Sequence, residues 1–266
     1  MRLTRVFIDG VLTPGAIVEL ARETASHLAK VLRARSGDEL ILFNGDGREF
    51  TGAIEAVRGS RVSASIGAAR AIDRESSLGL TLLQCIPRGD RMDFIVQKAT
   101  ELGVGRIVPV LSQRSVVRLD GAHGASKQAH WRAVAVSACE QCGRNRLPTV
   151  DVPQPLLNYL GAMPRETPGQ LRLVLEPERA RAQPEARSID RLAAVPVTGA
   201  EIAIGPEGGF APEELEAFEL SAFSRLGLGP RVLRTETAAI AAIVVLQTRF
   251  GDMSAVSEHS SQTEDA

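Results

Sequence analysis

Three short loops each follow a short apolar stretch, and the second and third of them contain glycine. They are residues 175–177, 205–210 and 226–230. In an open α/β sheet, ligands bind beyond the carboxyl ends of the strands. Glycine there lets backbone N–H and C=O groups approach a ligand, because no Cβ stands in the way. The alternative is that these glycines only make tight turns.

Known nucleotide fingerprints do not fit these loops. The stretch GPEGGF (205–210) lacks the lysine and the hydroxyl residue of a phosphate-binding loop. Gly227 and Gly229 are followed by Pro230, and the third glycine of a dinucleotide fingerprint is missing. This leaves a ligand that is held by backbone contacts without a phosphate. The adenosine and methionine parts of S-adenosylmethionine meet that description.

Cys139 and Cys142 form a C-x-x-C pair inside a helix-like stretch. A zinc site would need two further ligands, and no second cysteine pair supplies them. A redox pair favours a first cysteine at a helix N-terminus, where the thiolate is stabilised. We therefore interpret this pair as helix packing and predict no metal site.

The first seventy residues predict short strands around one helix. Residues 6–8, 39–43, 50–57 and 62–66 are β-prone and are separated by turn residues such as Asn44–Gly47. Residues 25–33 have helical apolar spacing. Many short strands in a small segment are typical of a compact β-barrel. The polar residues 70–77 then predict a linker.

From Leu78 onward, strands and helices alternate. The pattern predicts strands over 78–86, 106–111, 171–175 and 202–204, and helices over 92–102, 126–142, 212–221 and 237–248. Such alternation predicts an α/β domain with a largely parallel sheet. The polar residues from Gly251 onward predict a disordered tail.

Composition and charge limit the classes of function. With 44% hydrophobic and 24% charged residues, the chain can bury a sizeable core. Its longest apolar run, residues 238–246, is far shorter than a membrane span, and its start lacks the apolar region of a secretory signal. Three cysteines give no disulfide framework, which favours a cytoplasmic protein. Residues 1–150 hold 21 Lys and Arg against 15 Asp and Glu, so this half could lie along a phosphate backbone.

Four stretches resemble the signature blocks of one enzyme family. QKATELGV (97–104), ACEQCGRNRLP (138–148), IGPEGGF (204–210) and LGPRVLRTETAA (228–239) resemble those of the 16S rRNA uridine N(3)-methyltransferases, the RsmE type of the SPOUT superfamily. Their order and spacing also match, and the resemblance covers about residues 5–250. Two positions depart from the usual pattern. Gln113 stands where glutamate is frequent, and Cys142 stands where serine is common.

The resemblance implies a fold, a reaction and partners. The expected fold is α/β, with a PUA-like RNA-binding β-barrel over 1–72, a SPOUT domain with a trefoil knot over 76–250, and a disordered tail over 251–266. The expected protein is a homodimer in the cytoplasm. It would use S-adenosylmethionine to methylate 16S rRNA of the small ribosomal subunit.

Site residues follow from the same resemblance and from the loops. Arg234 is the candidate to stabilise negative charge on the uracil, and Glu236 would either orient Arg234 or accept the proton; as a first-turn residue, Glu236 could instead only stabilise its helix. The expected cofactor contacts are Leu175, Glu176, Gly205, Glu207, Gly208, Leu228, Gly229, Val232, Leu233, Arg234 and Thr237.

RNA contacts are expected from a third set of residues: Arg5, Arg33, Arg88, Arg114, Glu140, Gln141, Arg144 and Arg146. The last four lie at the end of a long predicted helix and could face either RNA or a partner subunit. Two alternatives stay open at this point. The chain could be a SPOUT ribose 2′-O-methyltransferase, or an RNA-binding assembly factor without catalysis.

Overall fold

A computed structural model describes residues 3–115, 117, 121–164, 167–176 and 196–253, apart from the side chains of residues 121 and 122. These residues form two β-sheets with helices packed against them, which confirms the α/β class. Pro177 of the first loop and residues 254–266 of the predicted tail lie outside the described residues.

The N-terminal sheet has five strands in the order β1-β3-β4-β5-β2. Strands β1 and β3 are parallel, and the other neighbours are antiparallel. Helix α1 covers one side, and its Leu28 packs with Leu40 and Phe50 of the sheet. The elements are β1 (Thr4–Phe7), β2 (Ile17–Glu19), α1 (Arg22–Lys30), β3 (Glu39–Phe43), β4 (Arg48–Arg58) and β5 (Arg61–Ala71).

Two predictions for this half need correction. Helix α1 begins at Arg22 and ends at Lys30, three residues earlier than predicted at each end. Strand β2 was not predicted, because three residues are too few to show an alternating pattern. The predicted linker 70–77 also makes contacts with both halves. Its first residues belong to β5, and Arg74 and Glu75 bind the C-terminal half.

The C-terminal sheet has seven strands, and every pairing in it is parallel. The order is β12-β10-β11-β6-β7-β8, and β9 also pairs with β7. This confirms the predicted largely parallel sheet. The strands are β6 (Gly79–Cys85), β7 (Arg106–Leu111), β8 (Thr149–Val150), β9 (Gln154–Pro155), β10 (Gln170–Leu175), β11 (Gly199–Ile204) and β12 (Ser224–Leu226).

Helices cover both faces of this sheet. Because side chains alternate along a strand, Leu82 of β6 packs with one core and Leu83 with the other. The first core is closed by α2 (Arg91–Glu101), α3 (Gly121–Cys142) and α6 (Thr235–Phe250). The second is closed by α4 (Leu156–Ala162) and α5 (Pro212–Leu220). Helix α4 and the two-residue strands β8 and β9 were not predicted, since they are too short for a periodic signal.

A buried polar cluster, which we call the seam, joins the two halves. Glu49 of β4 accepts hydrogen bonds from Arg5 (2.8 Å) and Arg74 (3.1 Å). Arg5 also donates to the side chain of Asn145 and to the carbonyl oxygen of Arg144. The guanidinium of Arg144 binds Glu75 and the carbonyl oxygens of Thr100 and Val104.

The seam depends on Glu49, because its carboxylate is the counter-charge of both Arg5 and Arg74. Burial alone would raise the pKa of Glu49, but the hydrogen bonds and charges of Arg5 and Arg74 outweigh it and lower this pKa below its ordinary value. Glu49 therefore stabilises the fold fully above its unfolded-state pKa. That contribution is lost as the pH falls from there through the lower folded pKa.

We expect Glu49→Ala to lower the free energy of unfolding by about 3–5 kcal/mol, because it leaves the Arg5 guanidinium buried without its counter-charge. The matched control is Glu19→Ala, which breaks an exposed ion pair with Arg61 in the same sheet and should cost less than about 1 kcal/mol. Urea unfolding measures both. Equal stability of the two variants would contradict the role given to the seam.

Candidate functional site

The parallel sheet brings the three loops to one edge. Leu175, the last residue of β10, is in register with Leu226, the last residue of β12. Strand β11 flanks β10 on its other side and ends at Ile204, directly before Gly205. The N–H of Glu176 donates to the carbonyl oxygen of Leu226 (2.9 Å), so the first and third loops are joined. The described residues of the loops thus form one continuous rim.

The second loop is held from within by its own turn. Gly209 has a φ of +67°, a backbone conformation that favours glycine, and its N–H donates to the carbonyl oxygen of Pro206. At Gly205, a Cβ would lie 3.2 Å from the ring of Phe210, so the ring fills the space of a side chain. Gly208 is exposed, and a Cβ there would only make ordinary contact with Arg114.

Polar contacts fix the outer parts of the rim. The exposed carboxylate of Glu207 pairs with Arg91 at the start of α2 (2.8 Å). Arg114 donates to the carbonyl oxygen of Gly208 (2.9 Å). The carboxylate of Glu176 pairs with Arg225 of β12 (3.1 Å). Each loop is therefore anchored to a neighbouring element.

A buried hydrogen-bond chain connects the second loop to the closing helix. The Thr235 hydroxyl donates to the carbonyl oxygen of Gly205 (3.0 Å) and accepts from Nε2 of Gln84 (3.0 Å). The same Nε2 donates to the carbonyl oxygen of Cys85, which fixes the orientation of the amide. Gln84 lies fully buried in β6, and its Oε1 has no hydrogen-bond partner among the described residues.

The third loop leads into α6 through Arg234. Gly229 has a φ of +73°, and Val232 beyond it is two-thirds exposed. Leu233 packs against the core and anchors the loop, while Arg234 is exposed at the N-cap of α6. Leu228 is half-buried beside the core, and Thr237 is exposed on the first turn of α6. The rim therefore presents backbone groups and the exposed guanidinium of Arg234.

Glu236 differs from Arg234 in its surroundings. Its Oε2 is buried and has no hydrogen-bond partner among the described residues. No ion pair between Glu236 and Arg234 is found in that part of the chain either, so the structure gives no support to Glu236 orienting Arg234. An acceptor oxygen that is shielded from water and lacks a donor suits contact with a ligand.

The structure separates the predicted RNA contacts into two groups. Arg5 and Arg144 were wrong, because both are buried in the seam and bind protein groups. Glu140 is also engaged there, since its Oε1 accepts the N–H of Phe7 (3.0 Å). The remaining residues are exposed and stay predictions: Arg33, Arg88, Arg114, Gln141 and Arg146.

Two residues of the site escaped sequence reasoning. Gln84 and Thr235 carry no charge. Gln84 lies inside the predicted strand 78–86, and Thr235 lies two residues before the predicted helix 237–248. The available signal for Gln84 was a polar residue within the apolar run 78–86. Thr235 belongs to the block LRTETAA, but nothing in its spacing indicated a buried hydroxyl.

A cavity of about 590 Å³ opens at the opposite edge of the sheet, at the amino ends of the strands. Its lining includes Gly79, Arg106, Arg172 and Glu201. Ligands of parallel sheets bind at the carboxyl edge, so we place the candidate site at the rim rather than in this cavity.

Comparison with known proteins identifies the family. The family model described as the RNA methyltransferase domain matches residues 74–247, and the one described as the RNA methyltransferase PUA domain matches residues 20–66. The ribosomal RNA small subunit methyltransferase E of Buchnera aphidicola is 32% identical over 256 residues, which cover 95% of this chain and 99% of that protein. The chain belongs to the small subunit methyltransferase E family.

Solved structures agree with this assignment. A methyltransferase from Legionella pneumophila in complex with bound SAM is 40% identical, with a TM-score of 0.84, and the match covers 95% of this chain and 100% of that chain. The methyltransferase E of Neisseria gonorrhoeae bound to S-adenosyl methionine is 35% identical with a TM-score of 0.82, at the same coverage. No helix among the described residues of this family member is long and apolar enough to cross a membrane.

We expect Thr235→Val to lower the free energy of unfolding by roughly 1–3 kcal/mol, because the Gly205 carbonyl and the Gln84 amide lose their shared partner. Hydrogen exchange of residues 205–210 should also become faster. Thr248→Val, at an exposed position of the same helix, is the control and should change neither quantity. If Thr235→Val behaves like the control, the hydrogen bonds of Thr235 do not hold the second loop in place.

Proposed function

We propose that this methyltransferase transfers a methyl group from S-adenosylmethionine to N(3) of a uridine in 16S rRNA of the small ribosomal subunit. The observation that carries the proposal is the meeting of three loops from adjacent strands at the carboxyl edge of the sheet, in a chain of this family. The cytoplasm follows as its compartment, since ribosomal subunits are assembled there.

The rim fits S-adenosylmethionine by its chemistry. The proposed contacts are Leu175, Glu176, Gly205, Glu207, Gly208, Leu228, Gly229, Val232, Leu233, Arg234 and Thr237. Glycines without side chains present backbone donors and acceptors, which suits the adenine edge and the ribose hydroxyls. When bound, the cofactor would supply an electrophilic methyl group on a sulfonium.

The protein has to make a poor nucleophile react. Uridine N(3) carries a proton, and it attacks only as that proton leaves. The negative charge then spreads over both uracil carbonyl oxygens. The exposed guanidinium of Arg234 presents paired donors that suit two such acceptors, and it lies at the end of the third loop. We assign proton acceptance to Glu236, because its Oε2 is shielded from water and is not used by Arg234.

The domain organisation forms part of the same proposal. We propose a PUA-like barrel over residues 1–72 that binds RNA, a SPOUT domain with a trefoil knot over 76–250, and a homodimer. The match of the RNA methyltransferase PUA domain to residues 20–66 supports the first assignment. The proposed RNA contacts are Arg33, Arg88, Arg114, Gln141 and Arg146. Of these, Arg114 also contacts the second loop, because it donates to the carbonyl oxygen of Gly208.

The reaction can be tested directly. Small subunits from cells that lack the gene are incubated with the purified protein and S-adenosylmethionine, and the digested 16S rRNA is analysed by mass spectrometry. We expect one new N(3)-methyluridine. A ribose-methylated nucleoside would instead show a 2′-O-methyltransferase, and RNA binding without any methylation would show an assembly factor.

We expect Arg234→Ala to bind S-adenosylmethionine almost normally but to lower the single-turnover rate about 100- to 1000-fold, the usual cost of losing one donor to a transition-state charge. Arg234→Lys should recover little, because a point charge cannot replace the planar fork. Arg231→Ala, at an exposed position of the same loop, is the control. A stable Arg234→Ala protein with near-normal turnover would contradict this role.

A further inference from the structure

Two thiols lie together in the last turn of α3, next to the seam. Cys139 is fully buried. Cys142 is half-buried and lines a cavity of about 240 Å³, together with Arg74, Glu101 and Arg144. A small oxidant can therefore reach the sulfur of Cys142, whereas Cys139 lies behind it.

Helix geometry brings the two residues within disulfide range. Residues three apart in an α-helix have Cα atoms about 5 Å apart, inside the 4.4–6.8 Å range of disulfides. Their Cβ atoms must approach from about 5–6 Å to about 3.8 Å. Only the last helical turn has to adjust, because Gly143 ends α3 with a φ of +96°.

The surroundings make Cys142 the reactive sulfur. Cys139 holds one proton, which lies within reach of both the Cys142 sulfur and the carbonyl oxygen of Arg146 (3.6 Å). The hydrogen bond from Cys139, with the backbone N–H and the charge of Arg144, lowers the pKa of Cys142 below its ordinary value, against the opposing effects of burial and of the Glu101 charge. A thiolate is the nucleophile in thiol oxidation. Burial raises the pKa of the third cysteine, Cys85, and keeps it inert.

We propose that Cys139 and Cys142 form a reversible oxidation site, at which a peroxide converts the two thiols into a disulfide. The Cys142 sulfur attacks one peroxide oxygen, the O–O bond breaks, and a sulfenic acid and hydroxide form. The Cys139 sulfur then attacks the sulfenic sulfur. The S–S bond forms, the S–O bond breaks, and the departing hydroxide takes the proton of Cys139. The first hydroxide takes up the proton that Cys142 released when its thiolate formed, so hydrogen peroxide is reduced to two waters overall.

The disulfide would act on the seam. Residues 143–146 follow Cys142 directly, and Arg74 and Arg5 bind the carbonyl oxygens of Gly143 and Arg144. Tightening the last turn of α3 pulls on these contacts. It also removes the thiol proton that faces the Arg146 carbonyl. Oxidation should therefore loosen the attachment of the N-terminal sheet to the C-terminal sheet.

The full-length protein is treated with hydrogen peroxide, and its intact mass and free thiols are measured. We expect the mass to fall by two hydrogen atoms and the thiol count to fall from three to one, with reversal by dithiothreitol. Cys139→Ser should stop at a sulfenic acid that dimedone traps, and Cys142→Ser should not react. Cys85→Ser is the control and should still form the disulfide.

Two outcomes would overturn the proposal. If the wild-type protein keeps all three thiols, or gains oxygen without forming a disulfide, the pair is not an oxidation site. If the disulfide forms but hydrogen exchange at residues 143–146 stays unchanged, the link to the seam is wrong.

Discussion

The parallel pairing of β12, β10, β11 and β6 is the constraint on which the proposed site depends. Parallel strands end at the same edge, so backbone pairing alone brings residues that are far apart in sequence together there. The Thr235 hydroxyl then joins this edge to α6, because it binds the Gly205 carbonyl and is itself held by Gln84. Arg234 and Glu236 flank Thr235, so this buried contact holds the start of α6, where both residues lie, against the second loop.

The seam fixes the position of the N-terminal sheet relative to the C-terminal sheet. Its contacts are charged hydrogen bonds rather than apolar packing. Glu49 accepts hydrogen bonds from two arginines, and Arg144 donates to two backbone carbonyl oxygens. Buried charges are costly unless each finds its partner, so a shifted arrangement would leave several of them unpaired.

Sequence reasoning predicted the elements that are long enough to show a periodic pattern. The long apolar strands β6, β7 and β10 and the helices α2 and α5 follow from periodicity, because their alternation or helical spacing runs over many residues. The three loops were predicted because each follows a short apolar stretch, and the glycines of the second and third loops added to that signal. Helix α4 and strand β2 escaped because they are too short to show a period. Arg5 and Arg144 were misjudged for another reason. Arginine usually lies at the surface, and only the tertiary contacts with Glu49 and Glu75 reveal that these two are buried.

Hydrogen–deuterium exchange with and without S-adenosylmethionine tests the central claim, that three adjacent strand ends form one cofactor site. We expect slower exchange in all three loops, at Glu176, at residues 205–210 and at residues 228–234, because the ligand covers their backbone. The amino edge, with Gly79 and Gly105, should remain unchanged and serves as the internal control. Protection that is confined to the amino edge, or to only one of the three loops, would contradict the account.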